Sequence, residues 1–427
     1  MSDAPSPSSA KPVSRNMLVH NASESRRAPQ ILIIGAGIGG LTAALSLQRQ
    51  GFSVRVYERM AELSELGAGV IITPNALHGL DFLGVGASVR TTANFAGDLE
   101  FRHYKTAELL GRRRVADISA KFGAAVFQVH RADLHRVLSS AVLANDRDSI
   151  RLDHTFVDLF QDDTSVVARF ANGTVIAGPT LIGCDGGGSV VREKIHGDEP
   201  VSYTGQVALR AIVPAGELPS DIELQERCVY IGPDRMFMHY GLRKNSLMNV
   251  IAIARQREWQ AEHWAIRGDI EELSRLYHDF HPRVLAIIAS IKREALFKWG
   301  LHDREPLPRW TVGLVSLLGD AAHPFTPFLG QGACMAIEDG TVLGRCFAEC
   351  SNPAEALRIY ESARKVRANT AQLRSRARAK ALQGGFLDNF DAQSEADDIA
   401  LFDSLFDYNP ASVAVGSAAV IGSTEQK

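Results

Sequence analysis

Several kinds of residue are too scarce in this 427-residue chain, or too scattered, to support several kinds of function. Its five cysteines, Cys184, Cys228, Cys334, Cys346 and Cys350, are odd in number and form no CxxC pair, which argues against a disulfide framework and a zinc site. Reduced thiols in a cytoplasmic protein are the expectation. The formal net charge is only −3, so no bulk attraction draws the chain to nucleic acid or to an anionic membrane. No apolar run approaches the roughly 18–20 residues of a membrane span, and the first residues lack the apolar centre of a secretory signal. By elimination, the expected partner is a small molecule; the sequence leaves the oligomeric state open, a homodimer being one option.

Hydrophobic residues make up 45% of the chain, enough to bury a sizeable core in two or three subdomains. Residues 1–28, rich in Ser, Pro and Ala, read as a disordered tail. From Gln30 the pattern changes. QILIIGAGIGG is a short apolar strand closed by glycines, LTAALSLQRQG has helical spacing, and FSVRVYE is a second strand, which together make one βαβ unit. Asn172-Gly173, between SVVARF and TVIAG, predicts a hairpin with a type I′ turn. Between about 200 and 260, runs such as YTGQVALRAIV and MFMHYGL predict an antiparallel sheet, and WTVGLVSLLGD later returns to the character of a buried parallel strand.

The expected fold class is therefore α/β: a Rossmann-like domain over 29–90, 126–200 and 299–350, interrupted by an antiparallel-sheet domain over 91–125 and 201–298. A C-terminal helical region, 351–427, completes it. Arg358, Arg364, Lys365, Arg367, Arg374, Arg376, Arg378 and Lys380 lie on helix-friendly sequence there and read as a solvated helix face.

Gly35, Gly37 and Gly40 fit GxGxxG, between a strand and a helix, and Glu58 ends the next strand about twenty residues on. Gly35 serves the tight turn, Gly37 lets backbone approach a pyrophosphate, Gly40 lets helix and sheet pack, and Glu58 reaches a ribose hydroxyl. Two further acidic turns follow apolar strands, at Asp185-Gly186 and Gly319-Asp320. Each of these carboxylates has a plainer alternative as a turn or helix cap.

Six ordered motifs, GAGIGG, Glu58-Arg59, GAGVIITPNA (67–76), VHRADLH (129–135), CDGGGSVVR and GDAAHPFTPFLGQGACMAIEDG, resemble the single-component flavoprotein aromatic hydroxylases, particularly the salicylate and 3-hydroxybenzoate hydroxylase group. The resemblance spans about residues 30–385. It implies an FAD-binding domain with an inserted substrate sheet, and a reaction in which NADH or NADPH reduces FAD and O2 forms a C4a-hydroperoxide that an electron-rich ring attacks. It also implies that Glu58 holds the adenosine ribose, Arg59 flanks the adenine, Gly69, Val70 and Arg131 lie along the FAD, and Asp320 binds its ribityl or pyrophosphate portion. Asp185 belongs to a motif that the family associates with both FAD and the nicotinamide donor.

A helix starting at about Gly332 points its free N–H groups at the anionic edge of reduced flavin, with Gly330, Gln331 and Ala333 beside it in the cofactor site; such a terminus contributes roughly 0.3–2 kcal/mol. His323 reads as structural. For the substrate, Tyr240 matches a family binding position, whereas Met236 and Pro327 stand where the 3-hydroxybenzoate branch has His and Gln. His239 is an alternative catalytic base, but alternation along a strand puts His239 and Tyr240 on opposite faces, so one of them at most lines the pocket, with Tyr240 preferred. Arg210 is placed either against a substrate carboxylate or in an internal ion pair.

The activity implied is hydroxylation of a salicylate-like or hydroxynicotinate-like phenol or acid, with no metal. Three rival activities remain: an FAD-dependent reductase or dehydrogenase, an epoxidase or urate-type hydroxylase on a non-benzoate substrate, and a flavin-binding redox sensor without turnover.

Overall fold

In the computed structural model, the structure describes residues 30–63, 68–225, 227–259, 265–383 and 392–415. The N-terminal tail expected over 1–28 lies outside the described residues, as does Gly67 of the GAGVIITPNA motif.

Short, mainly apolar runs become the buried strands of a six-stranded sheet. Its order is Thr311–Val312, Val315–Leu317, Leu181–Gly183, Ile31–Ile34, Val54–Tyr57, Ile150–Arg151, and every neighbouring pair is parallel except the first. Such strands carry little alternation because both faces are buried, one of them under the three-stranded sheet Phe156–Gln161, Val166–Phe170, Val175–Gly178, whose Phe170 ring meets Tyr57 at 4.6 Å. Helix Ile38–Arg49 follows the first strand, and helix Gly332–Glu349 packs directly against it. Three sequence-distant strands thus end side by side, and the turns after Ile34, Gly183 and Leu317 gather at one edge.

The second layer is an eight-stranded sheet in the order Ala265–Arg267, Phe297–Asp303, Ser202–Pro214, Leu247–Arg255, Arg235–Leu242, Arg227–Gly232, Leu99–His103, Leu109–Arg113. The sheet reaches Asp303, a few residues past the boundary expected at 298. One face is covered by helices Ile270–Leu276 and Pro282–Ala289. The other faces the parallel-sheet domain, to which it is pinned at named points. Asp133, from helix Arg131–Asn145, takes both Nε (2.8 Å) and Nη2 (2.9 Å) of Arg243 in the hairpin turn after Leu242. Asn249 Oδ1 accepts from the Gly69 N–H at 2.8 Å.

Two local expectations change. The 166–178 hairpin is present, but only Gly173 has positive φ (+86°). Arg169 pairs with Val175 and the Phe170 N–H bonds Thr174 O, which leaves Ala171–Gly173 as a three-residue loop with glycine at its left-handed position instead of a type I′ turn. Helix Pro353–Gln383 is not simply a solvated charged face either. Arg364, completely buried, and Arg367 bind carboxylates of helix Gly332–Glu349, along which this helix lies, and Arg376 binds Asp303 at the end of a sheet strand.

Candidate active site

At the first strand end, Gly35 adopts φ +101°, and a Cβ there would lie 2.5 Å from the Cys184 carbonyl oxygen. At Gly40 a Cβ would meet Gly35 O at 2.0 Å, so helix and turn touch through bare backbone. Gly37 differs: a Cβ would find nothing within 4 Å among the described residues, which leaves open space over the start of the Ile38–Arg49 helix. Glu58 braces this loop. Its Oε2 accepts from Ala36 N at 2.8 Å and its Oε1 from Met60 N at 3.0 Å, leaving lone pairs for a hydroxyl. Arg59 beside it is exposed. His135, which the sequence reading passed over, fixes the other side of the loop through Nε2, 2.7 Å from Ala36 O.

The late loop approaches from the neighbouring strand. Asp320 sits in the turn Gly319–Ala321, exposed along the cleft wall although protein crowds it on most sides. That burial raises its pKa; His323 and Arg131 pull it down, and Asp339 adds to the rise. After the turn Pro327–Leu329, Gly330 is left-handed (φ +63°) and exposed, and Gly332 and Ala333 open helix Gly332–Glu349 half-buried. The Gln331 side chain turns away from this opening. Its Oε1 accepts from Asn75 Nδ2 (3.1 Å) and its Nε2 donates to Thr73 Oγ1 (3.1 Å), so only its backbone remains for a ligand.

Those bonds join a buried network. Asn75 Nδ2 donates to Glu338 at 2.6 Å; Glu338 and Asp339 receive Arg364 at 2.6 and 2.8 Å; Asp339 also holds His323 at 2.6 Å and accepts from Gly319 N at 3.1 Å. Burial alone would raise the Asp339 pKa, but His323 and Arg364 outweigh it and hold the group below the usual carboxylate range. His323 is thus placed structurally, against Asp339, Trp310 and Phe325.

The eight-stranded sheet provides the opposite wall. Cross-strand pairing sets Phe101, Val229, Met238, Ile251 and Arg210 in one row. A second row carries Arg113, Leu99 and Arg227, with Tyr240 paired to Asn249 further along. Directly paired residues share a face, so Arg210, Arg227, Met236, Met238 and Tyr240 all project to the same side. Phe328, next to Pro327, packs in one cluster with Met236, Met238, Ile251 and Tyr240, bringing the late loop over this floor. The Tyr240 ring lies against Gly69, where a Cβ would come within 2.5 Å of the hydroxyl. Val70 is half-buried in the same strand, and Arg131, also half-buried, starts the helix beyond the paired strand Phe127–His130.

Both floor arginines are starved of partners: Arg210 Nε and Arg227 Nε are buried with no hydrogen bond among the described residues. Burial pushes the Arg227 pKa down to about 10, with Arg113 adding to the effect. Burial also pushes the Tyr240 phenol up to about 12, against the opposing pull of Arg210 and Arg227. Arg227 was missed in the sequence because it precedes the apolar run CVYIG and looks like an ordinary strand-end cation.

Two expected site residues are engaged differently: His239 lies on the other face of the sheet, and Asp185, although its backbone borders Gly35, has its carboxylate occupied. His239 faces the helical layer, completely buried near Tyr230 and Phe237, and burial lowers its pKa to about 3. Strand alternation turns it away from the face that carries Tyr240. The Asp185 carboxylate is engaged within the chain: Ser189 Oγ donates to Oδ1 at 2.5 Å and Val191 N to Oδ2 at 3.0 Å, at the start of helix Val190–His196. Its helix-capping alternative is the one the geometry favours.

Open space over Gly37, a carboxylate with spare lone pairs at Glu58, and an exposed Gly330 before a helix N-terminus form a cleft that fits a dinucleotide carrying an anionic ring system. The comparisons agree. The family described as FAD binding domain matches residues 28–375. A 3-hydroxybenzoate 6-hydroxylase from Klebsiella oxytoca is 36% identical over 341 residues, covering 78% of this chain and 83% of the relative. A 6-hydroxynicotinate 3-monooxygenase from Pseudomonas fluorescens is 34% identical over 353 residues, covering 81% and 90%. Among solved structures, Klebsiella pneumoniae HpxO complexed with FAD and uric acid superposes with a TM-score of 0.75 at 26% identity, covering 92% of this chain and 95% of that one. A salicylate hydroxylase substrate complex shares the fold, with a TM-score of 0.77 at 24% identity over 90% and 97% of the two chains. The chain belongs to the FAD-binding-domain family, alongside flavin-dependent aromatic hydroxylases.

Proposed function

We propose that this flavin-dependent monooxygenase hydroxylates an aromatic or heteroaromatic ring that carries a carboxylate and a phenol-like oxygen. The observation that carries the reading is the pair Arg210 and Arg227, on an apolar floor beneath the flavin loop, each with a buried Nε lacking a partner. A buried polar group left unsatisfied costs about 1–3 kcal/mol, more when charged, and a bound carboxylate removes that penalty with charge-assisted bonds. Relatives named for 3-hydroxybenzoate and 6-hydroxynicotinate support the class. Met236 and Pro327 shape the apolar walls around the ring, in place of the His and Gln of the 3-hydroxybenzoate branch.

FAD, when bound, supplies the electron transfer from NADH or NADPH and the activation of O2. Gly35, Gly37, Gly40, Glu58 and Arg59 would hold its adenosine and pyrophosphate end. Gly69, Val70, Arg131 and Asp320 would flank its chain, and the N–H groups at Gly330–Ala333 its reactive ring. Tyr240, with a phenol pushed up to about 12, stays protonated at neutral pH. It therefore orients and polarises the substrate oxygen as a hydrogen-bond donor and does not act as a base. The apolar residues Met238, Ile251 and Phe328 exclude water from the ring.

The test is the FAD-loaded full chain with a panel of benzoates, hydroxynicotinates, urate and neutral phenols, following NADH and NADPH oxidation together with oxygenated product. The reading expects product from a carboxylated ring, and Tyr240→Phe keeping its FAD while losing most product. Stimulated oxidation that yields only hydrogen peroxide favours a reductase. Product only from urate or from an alkene replaces the aromatic-acid reading, and an FAD-loaded protein inert to every donor favours a sensor.

A further inference from the structure

Asn249, like Arg210 and Arg227, is a side chain of the substrate floor with a buried polar atom left unmet, and it is almost wholly withdrawn from water. The Gly69 N–H donates to its Oδ1 at 2.8 Å, and this bond fixes the orientation of the amide, because an NH2 group in that place could not accept. Nδ2 is therefore the far end of the amide, buried and without a hydrogen bond among the described residues. A donor in that position calls for an acceptor.

Pairing sets Asn249 between Tyr240 and Ile212 on the face that forms the floor. Side chains directly opposed in this way stand about 4.5–5.5 Å apart at Cβ, so the amide and the phenol ring are neighbours. They also converge on one point of the facing domain: the amide takes the Gly69 N–H, and a Cβ on Gly69 would lie 2.5 Å from the Tyr240 hydroxyl oxygen. The rows of the sheet that meet here hold no histidine and no carboxylate, whether the row of Leu99 and Arg227, that of Tyr240 and Asn249, or that of Val229, Met238 and Arg210. Their unmet polar atoms, Arg210 Nε, Arg227 Nε and Asn249 Nδ2, are all donors.

We propose that Asn249 determines specificity: its amide N–H donates to the oxygen on the substrate ring beside the Tyr240 hydroxyl, so the site selects rings that present this oxygen as an acceptor, a lactam carbonyl or a phenolate. The proposal rests on the aromatic-acid reading above. Arg210 and Arg227 take the carboxylate, and Asn249 distinguishes an oxygenated ring from a bare one. Bonds from two donors favour the charged form of a ring oxygen, so a phenol binds more tightly once its proton has gone to solvent, and the ring it leaves is richer in electrons.

The test uses the FAD-loaded full chain and two pairs of probes, each differing by one oxygen: 6-hydroxynicotinate against nicotinate, and 3-hydroxybenzoate against benzoate. Flavin absorbance titrations at pH 8 give a Kd for each probe. The ratio within a pair is the readout, because damage to the shape of the site weakens both members alike. Asn249→Asp keeps an oxygen for the Gly69 N–H and removes the donor, and at this pH its added charge acts on both members through their shared carboxylate. The parent is expected to prefer the oxygenated ring of at least one pair, and the variant to lose about tenfold of that preference while keeping its FAD. Should Asn249→Asp fail to retain FAD, Asn249→Leu, similar in size and uncharged, serves the same comparison. A preference that the variant leaves unchanged overturns the proposal, the amide then serving only to hold Gly69; so does a parent that binds both members of each pair equally well. If none of the four probes perturbs the flavin spectrum at any concentration, the aromatic-acid reading falls together with the role of Asn249.

Discussion

Arg364 and Arg227 are both withdrawn from water, one completely and the other to 5% exposure, yet their surroundings differ in kind. Arg364 is enclosed by carboxylates: Glu338 at 2.6 Å and Asp339 at 2.8 Å, which in turn hold Asn75, His323 and the Gly319 N–H. One Arg364 nitrogen, Nη1, lacks a hydrogen bond too, but Arg227 and its neighbour Arg210 face an apolar wall with a buried Nε unmet on each and no carboxylate at ion-pair distance among the described residues. A charge whose partners are built in tends to fix a structure, and one whose partner is missing tends to select a ligand. The flavin cradle has the first kind of site and the substrate floor has the second.

The largest way to break this comparison is Arg364→Met. It would leave the Glu338 and Asp339 pair short of a cation in the interior, and removing one member of a buried ion pair costs about 3–5 kcal/mol. Urea unfolding should show a loss of that order, with weaker FAD retention, because Asn75, Gln331 and Gly319 hang from the same network. A loss below about 1 kcal/mol would mean that the network does not hold the cradle.

Arg210→Gln and Arg227→Gln should act the other way. Neither removes a recorded ion pair, so stability without ligand should stay within about 1 kcal/mol of the parent or rise. Binding should bear the loss instead. Removing one partner of a desolvated charge pair costs about 2 kcal/mol or more, roughly a 30-fold weaker Kd for benzoate in a flavin absorbance titration. Equal loss of stability and binding would make these arginines part of the scaffold and would erase the contrast with Arg364.

The two regions also differ in how much of them could be read from the sequence. The cradle was largely legible because a special backbone needs special residues nearby. Gly35 and Gly330 do adopt the left-handed conformations that a GxGxxG turn and a Gly-Gln-Gly turn suggest. The alternating strands likewise gave the opposed directions of His239 and Tyr240. Pairing between distant residues was not legible. Arg364 looks like any cation on a helix until Asp339, 25 positions earlier, is found against it. Arg227 becomes a site residue only when the sheet sets it beside Leu99. The Asn172-Gly173 turn was misjudged, and the two roles weighed for Asp185 stayed open, for a related reason: a turn type depends on register, and a carboxylate's task depends on which N–H groups the next helix presents.

The smallest effect concerns a third buried ionisable group, on the other face of the substrate sheet. His239 has neither a carboxylate nor a vacancy for a ligand; both ring nitrogens are buried without partners among the described residues. Burial is the main reason that its pKa falls from 6.5 to about 3, with Arg283 and Arg102 adding to it. The folded protein therefore keeps His239 neutral while the unfolded chain takes up a proton below about pH 6.5. Between that pH and about 3 the unfolded state binds more protons, so stability falls on acidification, by about 1.4 kcal/mol per pH unit for one full proton. His239→Leu removes this contribution and leaves every other acid-sensitive group in place. Relative to the parent, the variant should gain about 2 kcal/mol on going from pH 8 to pH 5 in urea unfolding, with its yield of oxygenated product unchanged. A loss of product at constant FAD content would return His239 to the active site, and with it the idea that both faces of the sheet serve the substrate.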